Sequence, residues 1–355
     1  CQRNERGQKM ISISLCMIVK NEERVLERCL QSLQGLMDEI IIVDTGSTDR
    51  TKEIAKKYTD KIYDFTWIDD FSAARNFSFS KATKEYIYVA DADEVLDQEN
   101  YEKFKQLKQV LLPEIDIVQM YYSNQLEYNT TYNYDKEYRP KLYKRLRQFT
   151  WNNPIHECVQ IEPIIYDSEI AILHKPENNH GARDFAAFQR MIARGEQVTK
   201  HLHNMYAREL FITGEREDFL KAEAFFLKSA GEQRTAEELK EAFLVLAHCA
   251  RIKEDTVSFF KYIMKDIAEN PCSEACCELG AFYMEQEDFE EASNWYYNAM
   301  ESVTAILNIR CQKNIPKEGL KQCYEKLETL ARQKENEALA QEYHEARVEL
   351  DACES

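Results

Sequence analysis

The sequence predicts an α/β fold over its first half, a mainly parallel sheet flanked by helices, and an all-α repeat over its second. Three observations carry this. Short apolar runs alternate with helical patterns up to about residue 175. Acidic residues stand where two of those runs end, at Asp44 and at Asp91. Beyond about residue 184 the strand patterns stop, and similar helical segments recur.

Ile11–Val19 reads as the first strand and Glu23–Leu33 as a helix, with Val25, Leu26, Cys29, Leu30 and Leu33 on one face. Glu39–Asp44 is the second strand and Asp49–Tyr58 the second helix. Ile62–Phe65, Phe71–Ala82 and Tyr86–Ala90 continue as strand, helix and strand. Asn100–Leu112 is helical and Ile115–Tyr122 extended, and from Tyr122 to His174 short strands and aromatic-rich loops follow. A βαβα order of this kind gives a mainly parallel sheet covered on both faces. In such sheets ligands bind at the carboxyl ends of the strands, where Asp44 and Asp91 lie.

The second half repeats. "DFLKAEAFFLKSA" from Asp218 and "DFEEASNWYYNAM" from Asp288 share their opening pair and align Ala222 with Ala292. A middle copy, "DTVSFFKYIMKDI" from Asp255, puts Val257 halfway, 35 residues from each. A period near 34 residues is that of the tetratricopeptide helix hairpin. Leu279, Gly280, Tyr283, Ala292, Tyr296 and Ala299 carry that pattern best, and Glu318–Leu330 with Glu335–Leu350 reads as a closing pair. The expected domains are 10–182 (sheet domain), 183–202 (linker helix) and 203–355 (helical repeats). A solenoid of this kind commonly binds a peptide or protein.

The 355 residues suit two domains. A net charge of −17 argues against non-specific binding to nucleic acid or anionic lipid. No stretch reaches the length of a membrane-spanning helix. "ISISLCMIV" leads straight into "KNEE" and reads as a buried strand rather than a signal peptide. Met10 reads as the natural start, with Cys1–Lys9 an upstream extension. The eleven cysteines form no CxxC, and Cys272, Cys276 and Cys277 read as buried reduced thiols, which implies a cytoplasmic setting. His201 and His203 are two apart in a helical pattern and point away from each other, so they are not read as metal ligands.

"IYVADADEVLD", from Ile87, carries a strand into Asp91, Asp93 and Glu94. Clustered carboxylates repel one another unless a basic group or metal ion offsets them. With "CMIVKNEE" from Cys16, "IIVDTGSTDRT" from Ile41 and "DFSAARNFS" from Asp70, this stretch resembles family 2 glycosyltransferases of the GT-A fold, over roughly residues 11–180. With its C-terminal repeats, the layout is similar to that of the bacterial peptide S-glycosyltransferases that modify glycocins.

The resemblance implies an inverting transfer of sugar from a nucleotide donor, expected to be a UDP-sugar. It places Val19, Asn21, Glu22, Asp44, Ser47, Arg75, Asp91 and Ala92 at the nucleotide. It also makes Asp91, Asp93 and His174 ligands of Mg²⁺ or Mn²⁺. Hard oxygen donors of the Asp-x-Asp type suit that task, holding the ion against a leaving diphosphate. Glu22 also reads as a first-turn acid favoured by the helix dipole, and Ser47 or Thr48 as a helix cap. Arg75 is placed to offset the acids, with a surface salt bridge as the alternative. In "NPIHECV", from Asn153, His156 or Glu157 would serve as base, or the pair would shape the acceptor side.

The sequence thus reads as a metal-dependent glycosyltransferase whose repeats present a peptide or protein acceptor, or pair it into a homodimer. The alternatives are a cell-surface glycan or lipid-linked acceptor, and an inactive repeat scaffold.

Overall fold

The computed structural model describes residues 10–123, 137–147, 151–152, 158–159, 162–175 and 181–352. Two compact units are present, one formed by the described residues up to Lys175 and the other by those from Gly181 onward.

The first unit contains β1 (Ile13–Val19), α1 (Leu26–Ser32), β2 (Glu39–Asp44), α2 (Thr51–Ala55), β3 (Ile62–Asp64), α3 (Phe71–Lys81), β4 (Tyr86–Val89), β5 (Glu94–Val95) and α4 (Gln98–Val110). They are followed by β6 (Ile117–Ser123), β7 (Glu137–Lys144), β8 (Trp151–Asn152), β9 (Cys158–Val159) and β10 (Ile165–His174). Eight strands form one sheet in the order β3-β2-β1-β4-β7-β6-β10-β5, while β8 and β9 pair separately. β1 runs parallel to β2 and β4, β2 to β3, and β6 to β10. β7 is antiparallel to both its neighbours, and β5 to β10.

Alternation along β1 covers both faces. Ile13, Leu15 and Met17 share a core with Leu26, Leu30 and Phe104. Cys16 faces the other way, into Ile41, Val43, Ala82 and Ile87, with Phe77 and Phe79 of α3 packed against them. Each such Leu or Phe taken fully from water contributes about 1.5–3 kcal/mol. The Asp70 carboxylate accepts from Ala73 N–H and starts α3, a cap worth about 1 kcal/mol.

The first helix begins three residues later than the apolar face suggests. Asn21 adopts φ 56°, and Val25 and Leu26 N–H both close on the Glu22 carbonyl, so Lys20–Val25 makes a turn before the helix. The second helix is likewise shorter than expected, because it gives way to tight turns from Lys56 to Thr59.

The second unit consists of α5 (Gly181–Ala193), α6 (Lys200–Thr213), α7 (Arg216–Ala230), α8 (Ala236–Ile252), α9 (Thr256–Ile267), α10 (Ser273–Glu285), α11 (Phe289–Glu301), a 3₁₀ turn at Ile309–Gln312, α12 (Asn314–Gln333) and α13 (Glu337–Ala352). The expected linker helix over 183–202 is not continuous: α5 ends at Ala193, and Gly195 turns the chain at φ 71° before α6. Glu254, Glu287 and Glu335, each at φ near 60°, close the first helices of three hairpins. Asp255, Asp288 and Asn336 then receive N–H groups of the next helix.

The expected register of the middle copy is corrected. Val257 is 80% exposed and matches neither alanine. The buried triplets are Ala222, Phe226, Ser229; Phe259, Ile263, Asp266; and Ala292, Tyr296, Ala299. Residues 222, 259 and 292 are therefore equivalent, with spacings of 37 and 33. Phe259 takes the place of an alanine, which hid the match. The Tyr296 ring lies against Gly280 and Gly319, where an added Cβ would come within 2.7 and 2.5 Å of it. His203 is fully buried, with Nδ1 2.6 Å from Glu241 Oε2 and Nε2 2.9 Å from Ser229 Oγ.

Candidate active site

The carboxyl ends of β1, β2 and β4 bring three sequence motifs together. Asn21 and the loop after β2 are laced: Asn21 N–H donates to Ser47 Oγ (2.9 Å), and Thr48 N–H donates to Asn21 Oδ1 (2.8 Å). Glu22 N–H donates to Thr51 Oγ1 at 2.7 Å. Ser47 and Thr48 therefore tie the β1 loop and do not cap α2, whose N-cap position is Arg50. Thr45 N–H donates to the Val19 carbonyl, so Val19 backs the same loop.

Asp44 is 1% exposed. Its Oδ1 accepts from Gly46 and Ser47 N–H, both at 2.9 Å, and Lys52 Nζ stands 3.8 Å away. Gly46 permits this turn at φ 104°. Asp44 Oδ2 is buried with no hydrogen-bond partner. Leaving a buried carboxylate oxygen unsatisfied is costly, and a ligand N–H or O–H would remove that cost.

The acids after β4 divide their partners. Asp91 Oδ1 lies 3.4 Å from Arg75 Nη2, and its side chain is 51% exposed. Arg75 Nη1 is buried and has no hydrogen-bond partner. Burial alone would raise the Asp91 pKa, but Lys141 and then Arg75 reverse that, and the carboxyl lies below the usual range. Asp93 Oδ2 instead meets His174 Nε2 at 3.0 Å, across the junction of the β4 loop and β10. Ala92 is buried between them. Glu94 receives Lys141 Nζ on both oxygens at 2.8 Å, and both side chains are buried. Burial, with Asp91 and Asp93 nearby, pushes the Glu94 pKa up against the pull of Lys141.

The compensating positive charge thus comes from Arg75, Lys141 and Arg139. Sequence reasoning anticipated only the first. Arg139 stacks over Tyr122, its guanidinium carbon 3.8 Å from the ring centre, and the ring also faces His174 at 5.2 Å. A cation-rich "EYRPK" in the aromatic stretch was the available signal. His156 and Glu157 lie outside the described residues.

The donor chemistry of Asp91, Asp93 and His174 suits Mg²⁺ or Mn²⁺. Asp93 and His174 are already together, whereas Asp91 is turned to Arg75. Among the described residues no three His, Cys, Asp or Glu side chains converge as a finished metal site.

Fold and site define an α/β domain with acidic residues gathered at the carboxyl ends of its parallel strands. Residues 14–168 match the family described as glycosyl transferase family 2, so the first unit carries a domain of that family, and its fold is GT-A-like. The chain is 34% identical to the SPbeta prophage-derived glycosyltransferase SunS of Bacillus subtilis over 165 residues, 45% of this chain and 36% of that one. It is 50% identical to a TPR repeat-containing protein of Synechococcus elongatus over 90 residues, 25% of this chain and 22% of that one. It also aligns with a mannosyltransferase from Pyrobaculum calidifontis, in complex with GDP-Man and Mn²⁺. That likeness has 13% identity and a TM-score of 0.39, covering 82% of this chain and 84% of that one. The chain spans 22% to 36% of the length of these two curated relatives. No helix among the described residues is long and apolar enough to cross a membrane.

Proposed function

We propose that this chain is a metal-dependent inverting glycosyltransferase. It would move a sugar from a nucleotide diphosphate donor, with a UDP-sugar as the first candidate, to a peptide or protein side chain selected by the repeat unit. The observation that carries this reading is the Asp44 carboxylate. It is buried at the end of β2, satisfied on one oxygen and open on the other, at the same end of the sheet as Asp91 and Asp93, and Arg75 of α3 reaches Asp91 there.

In this reading Asp44 Oδ2 accepts from the nucleoside, and the loops of Asn21 and Ser47 shape its surroundings. Arg75 has one guanidinium nitrogen unsatisfied and donates to the diphosphate. Asp91, Asp93 and His174 would hold Mg²⁺ or Mn²⁺, which when bound neutralises the leaving diphosphate. The acceptor attacks the anomeric carbon from the face opposite the nucleotide, and His156 or Glu157 takes its proton. SunS, a glycosyltransferase by name, supports sugar transfer as the activity.

Incubating the full chain with UDP-, GDP- and TDP-sugars and following nucleotide release tests this reading. Release from one donor class is expected. No release from any donor, with and without Mn²⁺, would favour a scaffold.

A further inference from the structure

β7 contains a proline, Pro140, beside a break in its pairing register with β6. β7 runs between β4 and β6, and Pro140 pairs with Gln119 of β6 just beyond Leu142, where the pairing to β4 ends. Proline has no N–H to give to a ladder, so inside a sheet it is confined largely to bulges. A bulge is present. Val118 pairs with Leu142 but Gln119 pairs with Pro140, which leaves Lys141 as the extra residue on β7. Bulges re-aim a side chain out of strand alternation, often beside a functional site.

Here the re-aimed side chain is a buried lysine. Its ammonium donates to both oxygens of Glu94, with the Tyr88 and Tyr122 rings 6.0 and 5.7 Å away. Glu94 is the last residue of the acidic turn. Its N–H closes on the Asp91 carbonyl at 3.2 Å, and it pairs in the sheet with His174. Asp93 C=O accepts from Lys175 N–H at 3.0 Å in the same junction. A clamp on Glu94 therefore constrains the residues on either side of the Asp93–His174 contact.

We propose that Lys141 is a positioning residue: through Glu94 it fixes the Asp91–Glu94 turn against β10, so that Asp93 and His174 stand ready for a divalent cation. This rests on the metal reading above. Pro140 and the bulge supply the aim, and the buried pair supplies the grip. Breaking such a pair from one side is strongly destabilising, whereas removing both charges together is often neutral. That asymmetry separates positioning from mere stability.

The test uses the full chain with Lys141→Met, Lys141→Arg and the double variant Lys141→Met/Glu94→Gln. Mn²⁺ affinity is read by the electron paramagnetic resonance of free Mn²⁺, stability by thermal unfolding, and turn mobility by amide exchange over residues 91–96. The double variant should unfold near the wild-type temperature. It should still bind Mn²⁺ about tenfold or more weakly, as loss of outer-shell support does, and exchange the turn amides faster. Lys141→Arg should keep most of the affinity. Wild-type affinity and exchange in the double variant would overturn the proposal. A wild-type chain that binds no Mn²⁺, alongside a loosened turn in the double variant, would sink the metal reading and uphold the positioning role. No binding and an unchanged turn would overturn both.

Discussion

His174 Nε2 stands 3.0 Å from Asp93 Oδ2, joining the last residue of β10 to the turn that follows β4. These residues are 81 apart in sequence, and antiparallel pairing of β5 with β10 sets them side by side. On the proposed metal reading, this nitrogen and carboxylate oxygen, already held at contact, would serve as the nucleus of the cation site.

His174→Ala should therefore weaken Mn²⁺ binding by about tenfold or more, with Asp93 left to bind without its partner. Titration calorimetry with Mn²⁺ checks this. Affinity equal to wild type would remove His174 from the ligand set.

Asp91→Asn should cost a small amount of stability at pH 7, because Lys141 and Arg75 favour the charged carboxylate. A carboxyl whose pKa is lowered on folding contributes stability above its unfolded value, near 3.9, and loses it as pH falls through the folded value. The melting temperatures of variant and wild type should thus converge below about pH 4. A gap that widens on acidification would contradict the assigned direction.

Gly280→Ala and Gly319→Ala should each destabilise the repeat unit, since the new methyl would press on the Tyr296 ring. Overpacking costs about 1–3 kcal/mol, which outweighs the gain of up to about 1 kcal/mol from replacing a helical glycine. Urea unfolding measures the balance. A net gain in stability would mean that Tyr296 moves aside freely.

Glu157→Gln distinguishes acceptors. A cysteine thiol, with a pKa near 8.5, is partly ionised at neutral pH and needs little help from a base. The loss of rate should then be modest and shrink towards pH 9. For a serine or sugar hydroxyl it should reach about 10²-fold and persist at high pH. Rate profiles on matched Cys and Ser peptides read the difference, and a large, pH-independent loss on a cysteine peptide would contradict the thiol account.

Much of the α/β unit was legible because strand and helix periods differ and the acids fall at strand ends. Glu39–Asp44 has the expected bounds, and Phe71–Lys81 differs by one residue. The placement of Asp44 and of Asp91 with Asp93 at strand ends followed from the same pattern, whereas Arg75, inside α3, and His174 were singled out by the family resemblance. What stayed hidden depends on non-local pairing. Lys141 reaches Glu94 through a bulge in β7, and although the cation-rich "EYRPK" hints at compensating charge, it does not say which of its cations turns inward. Ser47 and Thr48 look like helix caps until Asn21, brought alongside from the previous loop, takes their bonds. In the repeats, Phe259 stands where its counterparts carry alanine, so matching by residue type slid the middle copy by two positions.

On the proposed reading, Asp93 and its neighbours would hold a cation that neutralises the leaving diphosphate. The most direct test is sugar-nucleotide cleavage by the full chain with Mn²⁺, with EDTA, and with Asp93→Asn in Mn²⁺. Turnover is expected in the first case and a loss of about 10²-fold or more in the other two, since charge neutralisation at the leaving group is removed. Wild-type turnover in EDTA, or undiminished turnover by Asp93→Asn, would contradict it.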